Sequence, residues 1–188
     1  MTLAVHASTG LLSGVRQVLS PHRDERPAGI TPDLIVMHNI SLPPDEFGGP
    51  WIERLFTGHL PPAEHPYFAE IQGMRVSSHV LIRRNGEVIQ FVPFHERAWH
   101  AGVSSFEGRS ACNDFSIGIE LEGADAVPYE DIQYTQATAV IRSLLAAYPS
   151  LNTQRIVGHS DIAPGRKTDP GPAFDWARLR AALSIKKA

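Results

Sequence analysis

The chain has 188 residues, about the size of one domain and long enough to bury a core without staples. A hydrophobic fraction of 43%, a charged fraction of 20% and a net charge of −3 exclude a disordered or membrane-embedded chain. They also leave no basic excess to attract nucleic acid or an anionic lipid surface. The single cysteine, Cys112, excludes an intrachain disulfide and reads as a small semi-buried hydrophobe.

Residues 1–23 have no basic leader, and His6, Ser8, Gly10 and Ser13 break their apolar stretches. They make a poor signal peptide, so a cytoplasmic location is expected. No apolar run approaches the roughly 20 residues that span a bilayer. Residues 34–37 (LIVM) are continuously apolar, as in a strand buried on both faces. Residues 50–56 form a short helix candidate. Residues 79–83 and 88–92 flank Asn85-Gly86, which predicts a hairpin with a type I′ turn. Residues 115–121 (FSIGIEL) predict another buried strand and 155–157 a short one. Between them, Ala137, Val140, Ile141, Leu144, Leu145 and Tyr148 share one helical face, and Pro149 stops that helix. Trp176, Leu179 and Leu183 mark a last helix. Proline and glycine gather at 43–50, 58–66 and 164–172, which read as ordered loops rather than linkers. The expectation is one α/β domain over residues 1–188, a mixed sheet with helices packed on its faces.

His38 directly follows the apolar run 34–37, so it falls at the carboxyl end of a buried strand, where open α/β sheets place ligands. His159 stands in the same relation to 155–157. Each alone is more often a hydrogen-bonded histidine than a ligand. From His159 the chain runs HSDIAPGRKTDPGP, a stiff loop with three prolines and two glycines that carries Lys167 and Asp169. Two imidazoles and a carboxylate with a fourth position open are the protein side of a catalytic zinc site. The spacing leaves a proline-rich surface turn equally open.

The segments VMHNISLPPDEFGGPWI, AWHAGV, CNDFSIGIELEG and GHSDIAPGRKTDPGPAFDWARL resemble the bacterial N-acetylmuramoyl-L-alanine amidases of the AmpD type. The likeness runs from about residue 14 to 183, and the four blocks are specific jointly rather than singly. The resemblance implies one zinc ion held by His38, His159 and Asp169. It implies Glu120 as general base and acid and Lys167 as partner of the developing oxyanion. It further implies that Asn39, Arg75 and Trp99 line a groove for an anhydro-muropeptide substrate in cell-wall recycling. Some close relatives carry an arginine where this chain has Ala111; either Arg109, two residues earlier, reaches the same groove or that contact is absent. Phage-type relatives carry a catalytic tyrosine where this chain has Ser78, so its task falls to Glu120. His79 and His100 read as supporting residues, and His22, His59, His65 and His95 as loop residues.

Two other functions compete with this one. A non-catalytic peptidoglycan-binding or sensing module on the same fold usually loses a metal ligand, whereas this chain keeps the whole set. A glycosidase needs two carboxylates about 5–10 Å apart across a sugar bond. Glu120 and Glu122 are read as pointing to opposite faces of their strand.

Overall fold

The computed structural model describes residues 3–185. Its elements in chain order are β1 (Arg16–Gln17), β2 (Arg23–Glu25), β3 (Leu34–Ile40), α1 (Trp51–Phe56), α2 (Pro66–Glu70), β4 (Val80–Ile82), β5 (Val88–Gln90), β6 (Glu96–Ala98), β7 (Ser105–Phe106) and β8 (Arg109–Ser110). A 3-10 turn at Cys112–Asp114 leads into β9 (Ser116–Glu122), α3 (Asp131–Ala147), β10 (Ile156–Gly158), α4 (His159–Ile162) and α5 (Trp176–Ser184). Six strands form one mixed sheet in the order β1-β5-β4-β9-β3-β10. Strands β4, β9, β3 and β10 run parallel, and β5 pairs antiparallel with β4. Two small antiparallel ribbons, β2 with β6 and β7 with β8, stand beside it.

The long central strands β3 and β9 pair over their full seven residues, from Leu34 opposite Ser116 to Ile40 opposite Glu122. Alternation along a strand sends successive side chains to opposite faces. Ile35, Met37, Ile117, Ile119 and Leu121 therefore join α3 through Ala137, Val140, Ile141 and Leu144 in the largest apolar cluster. The reverse face is covered by α1 and α2 over β4 and β5, where Ile52, Phe56 and Phe68 meet Leu81, Ile89 and Phe91. A third cluster packs Leu34 and Val36 against Cys112, Phe115 and Ile162. Each such side chain, buried rather than exposed, contributes about 1.5–3 kcal/mol.

Local signals explain the helix ends. Glu130 and Gln133 cap α3 reciprocally, with Glu130 N–H donating to Gln133 Oε1 at 3.0 Å. Pro149 holds Tyr148 extended (φ −119°, ψ 97°), so α3 ends at Ala147. The side chain of Asp175 accepts the Arg178 N–H at the start of α5.

The predicted hairpin forms with a different turn. Gly86 N–H donates to Arg83 O and Arg83 N–H to Glu87 O, each at 2.9 Å, closing a three-residue loop. Gly86 alone in that loop has positive φ (86°), the pattern of a turn followed by a glycine bulge rather than type I′. Asn85 instead accepts the Glu87 N–H through Oδ1 at 2.9 Å. Strand β3 also runs three residues beyond the apolar stretch, so His38 lies within the strand. Cys112 is fully buried. Among the described residues no helix is long and apolar enough to cross a membrane.

Candidate metal centre

The site grows from the carboxyl ends of three adjacent parallel strands. His38 on β3 is the register partner of Glu120 on β9, so the two side chains leave the sheet on the same face. Strand β10 pairs with β3 up to Gly158 opposite Met37, and His159 follows as the first residue of α4. The loop after α4 returns Asp169 to this point, with Ser160 N–H donating to Asp169 O at 3.0 Å. A side chain at Gly158 would meet Pro170 Cδ at 2.9 Å, so glycine there lets the returning loop close on the sheet.

His38 Nδ1, His159 Nδ1 and Asp169 Oδ2 form a triangle with sides of 3.0, 3.0 and 3.1 Å. Among the described residues this is the one group of three or more histidine, cysteine or acidic side chains arranged to hold a metal ion. The chemistry of the donors fits such an ion. His159 Nε2 lies 3.1 Å from Ala101 O, a carbonyl that only accepts, so that nitrogen carries the hydrogen. Nδ1, the atom that faces Asp169 Oδ2 at 3.1 Å, is then the nitrogen left to ligate. Ligands held tetrahedrally at about 2.0–2.1 Å stand roughly 3.3 Å apart, close to the observed sides.

Electrostatics favour the ligating forms. Burial pushes His38 down to about 4, against the pull of Asp169, so the imidazole is neutral at physiological pH. Burial works to raise Asp169, but the two imidazoles beside it win and hold its carboxyl well below the usual carboxylate range. Glu120 is the opposite case. Burial, together with the charge of Asp169, pushes it well above that range, with Lys167 pulling the other way. Its Oε2 is buried without a hydrogen-bond partner. A carboxylate kept dry and unpartnered beside a metal centre is poised to hold or release a proton.

Beside the triad His38 Nε2 lies 2.9 Å from His100 Nδ1, and His100 Nε2 lies 3.2 Å from Ser116 Oγ. Asn113 sets this stretch by accepting the N–H groups of His100 and Ala101 at 3.1 and 2.8 Å. His100 sits flat against β9 because residue 118 is glycine: an added Cβ would fall 2.5 Å from His100 Cγ. Behind it, Gly118 N–H donates to His79 Nδ1 at 3.0 Å, and His79 Nε2 lies 3.1 Å from Glu96 O. Arg26 backs this histidine row by donating to the carbonyls of Phe94, Asn113, Asp114 and Ser116.

The centre opens into a cavity of about 490 Å³, within the usual range for small-molecule sites. His38, His100, Glu120, His159, Lys167 and Asp169 line one end, and Leu42, Leu55, Phe56, Tyr67, Ile71 and Val76 form an apolar wall. Asn39 and Trp99 also line it. Asn39 has spent its amide hydrogens on Asp125 Oδ1 (2.8 Å) and Pro170 O (3.1 Å), and Trp99 Nε1–H donates to Asp24 at 3.1 Å. Lys167 lines the cavity from the exposed loop.

The structure corrects one reading and sets two of the expected groove residues outside the cavity lining. Arg75 is exposed and borders a hollow that shares Leu55, Ile71 and Met74 with the cavity. Arg109 also lies outside the cavity: its guanidinium donates to Asp33 at 2.6 Å and covers the Phe115 ring at 3.7 Å. The face assigned to Glu122 was wrong, since residues two apart on a strand share a face. Glu122 is separated from Glu120 by its partners instead, accepting the N–H groups of Gly48 and Arg84 at 2.7 and 3.1 Å away from the cavity. Sequence reasoning missed Tyr67, Arg166 and Asp125. Arg166 lay beside Lys167 in the same block and ties the loop to Ala101 O (2.6 Å) and Val103 O (2.7 Å).

Residues 28–172 match the family model described as Amidase_2, N-acetylmuramoyl-L-alanine amidase. The chain is 62% identical over 175 residues to the 1,6-anhydro-N-acetylmuramyl-L-alanine amidase AmpD of Escherichia coli strain K12, covering 93% of this chain and 95% of that one. The crystal structure of a Se-Met AmpD derivative superposes with a TM-score of 0.91 at 60% identity, covering 94% of this chain and 98% of that chain. A more distant structure, the Escherichia coli amidase AmiD complexed with its substrate anhydro-N-acetylmuramic acid-L-Ala-D-gamma-Glu-L-Lys, gives 0.57 at 27% identity, over 96% of this chain and 65% of that chain. With its sheet, its strand-end triad and these likenesses together, this chain belongs to the N-acetylmuramoyl-L-alanine amidase family.

Proposed function

We propose that this chain hydrolyses the amide between the lactyl group of 1,6-anhydro-N-acetylmuramic acid and L-alanine, recycling cell-wall fragments in the cytoplasm. The observation that carries this reading is the convergence of His38 Nδ1, His159 Nδ1 and Asp169 Oδ2 in a cavity that also holds the unpartnered carboxyl of Glu120. Zinc held by those three atoms would supply Lewis acidity at the scissile carbonyl and make water more acidic.

The chain's own residues divide the remaining work. Glu120 takes the proton from the attacking water and delivers it to the L-alanine nitrogen as the C–N bond breaks. The products are the free lactyl carboxylate and the amino terminus of the stem peptide. Lys167 supplies positive charge where the carbonyl oxygen becomes negative. The apolar wall and Trp99 hold the sugar and exclude water around the scissile bond. Arg75, in a hollow that adjoins the cavity at Leu55, Ile71 and Met74, is placed to meet a carboxylate of a stem peptide that extends past the cavity.

Treatment with EDTA is expected to abolish hydrolysis of anhydro-muropeptide, and added zinc to restore it. Mass spectrometry of the products, with intact muropeptide as comparison, reads bond and sugar preference together. Undiminished turnover by fully metal-free protein would overturn the reading.

A further inference from the structure

The histidine behind the triad has a role that follows from the direction of its hydrogen bonds. Ser116 Oγ lies 2.6 Å from Cys112 O, and a carbonyl only accepts, so the single hydroxyl hydrogen is spent there. In the 3.2 Å contact between Ser116 Oγ and His100 Nε2, the nitrogen must therefore be the donor. His38 turns its Nδ1 into the triad, so when it ligates its ring hydrogen stands on Nε2. That nitrogen lies 2.9 Å from His100 Nδ1, which is bare to accept it because the hydrogen of His100 is on Nε2. Each link has one permitted direction once the Cys112 carbonyl is fixed as one terminus and the metal-facing Nδ1 of His38 as the other.

We infer that His100 is a positioning residue for the metal centre: through the relay His38–His100–Ser116–Cys112 carbonyl it holds the hydrogen of His38 on Nε2 and leaves Nδ1 bare for the metal. The inference deepens the zinc reading and rests on it. The competing arrangement is concrete. Asp169 Oδ2 lies 3.0 Å from His38 Nδ1 and would attract the hydrogen to that nitrogen, where it would have to be displaced before a metal entered. The relay offers Nε2 an acceptor at 2.9 Å whose own hydrogen is committed to Ser116. Gly118 is part of the device, because any side chain there would collide with the His100 ring at 2.5 Å. Partners of this kind fix the tautomer and orientation of ligating histidines, and their loss typically weakens metal binding about 10–100-fold.

The test measures zinc affinity by competition with a chromophoric chelator and the His38 tautomer by ¹⁵N NMR of metal-free protein. His100→Phe keeps a ring but removes the acceptor, and zinc affinity is expected to fall about 10–100-fold. His100→Asn places its amide oxygen where Nδ1 stands, and is expected to restore affinity to within about threefold of the parent, well inside that loss. Ser116→Ala frees His100 to change tautomer, and its His38 spectrum is expected to show a mixture where the parent shows hydrogen on Nε2 alone. If His100→Phe does not fold, the Asn and Ala variants decide. The inference is overturned by hydrogen on His38 Nδ1 in the metal-free parent. It is equally overturned by parental affinity in His100→Phe, by an Asn variant at least tenfold weaker than the parent, or by an unchanged tautomer in Ser116→Ala. A parent that binds no zinc would instead sink the proposed function, while the tautomer remains readable without metal.

Discussion

The two faces of β3 and β9 share a backbone and almost nothing else. Toward α3 the strands present Ile35, Met37, Ile117, Ile119 and Leu121, all fully buried among helix side chains. Toward the cavity side they present Val36, His38, Ser116, Gly118 and Glu120, of which only Val36 is an ordinary core residue. The apolar face yields roughly 1.5–3 kcal/mol per large side chain. The polar face spends stability, because Glu120 is buried with an unpartnered oxygen and His38 is desolvated. Seven paired residues hold both faces rigidly in register. The surplus on one side is what permits dry titratable groups on the other.

Substitutions one residue apart separate the two faces. Glu120→Ala removes the proton carrier and is expected to lower kcat about 10²–10⁴-fold, the usual worth of a positioned general acid–base group. Zinc stoichiometry, read by atomic emission, should stay at the parent's value; loss of zinc would make Glu120 a ligand and cancel its assigned role. Lys167→Ala is expected to cost about 10²–10³ in kcat, again with zinc retained. Its neighbour in the strand behaves oppositely. Ile119→Ala, which opens a cavity against α3, is expected to cost about 2–5 kcal/mol of stability. Thermal melting would show this at about 2–4 °C per kcal/mol. Its kcat at 20 °C should stay close to the parent's. A large fall in kcat without a fall in Tm would mean that the faces are coupled rather than independent.

The same contrast explains what the sequence made legible. The apolar face announces itself: the run at 34–37, the FSIGIEL segment and the 3.6-residue stripe of α3 all record burial directly in residue type. The site was legible only where chemistry is tied to a strand end, as for His38 and His159, or to an unusual loop, as for Asp169. Glu120 carried no signal of its own beyond the resemblance, because nothing in its neighbours reveals that His100 and Asp169 arrive from distant loops. His100 gave no periodic signal, since its place depends on Asn113 and on the absent side chain of Gly118. The direction of Arg109 was not legible because closeness in sequence to Ala111 says nothing about it; the β7–β8 ribbon turns the side chain toward Asp33. The ribbons and the short helix α2 escaped notice because two to five residues carry too little period to read.

The smallest expected effect is the sharpest measure of what the polar face costs. Glu120 has a folded-state pKa well above its ordinary value, and an unfolded carboxyl titrates near 4.3. The fold therefore favours the neutral acid. Its contribution is fully present below the unfolded pKa and is lost as pH rises through the folded pKa. Glu120→Gln keeps the shape and removes the ionisation. In metal-free protein the variant and parent are expected to melt together near pH 4, and the variant to melt higher at pH 7. The same variant should be inactive, so stability and turnover move in opposite directions through one atom exchange. Equal melting at both pH values would show that Glu120 ionises at no cost, and that its place on the polar face is held by solvent rather than by the fold.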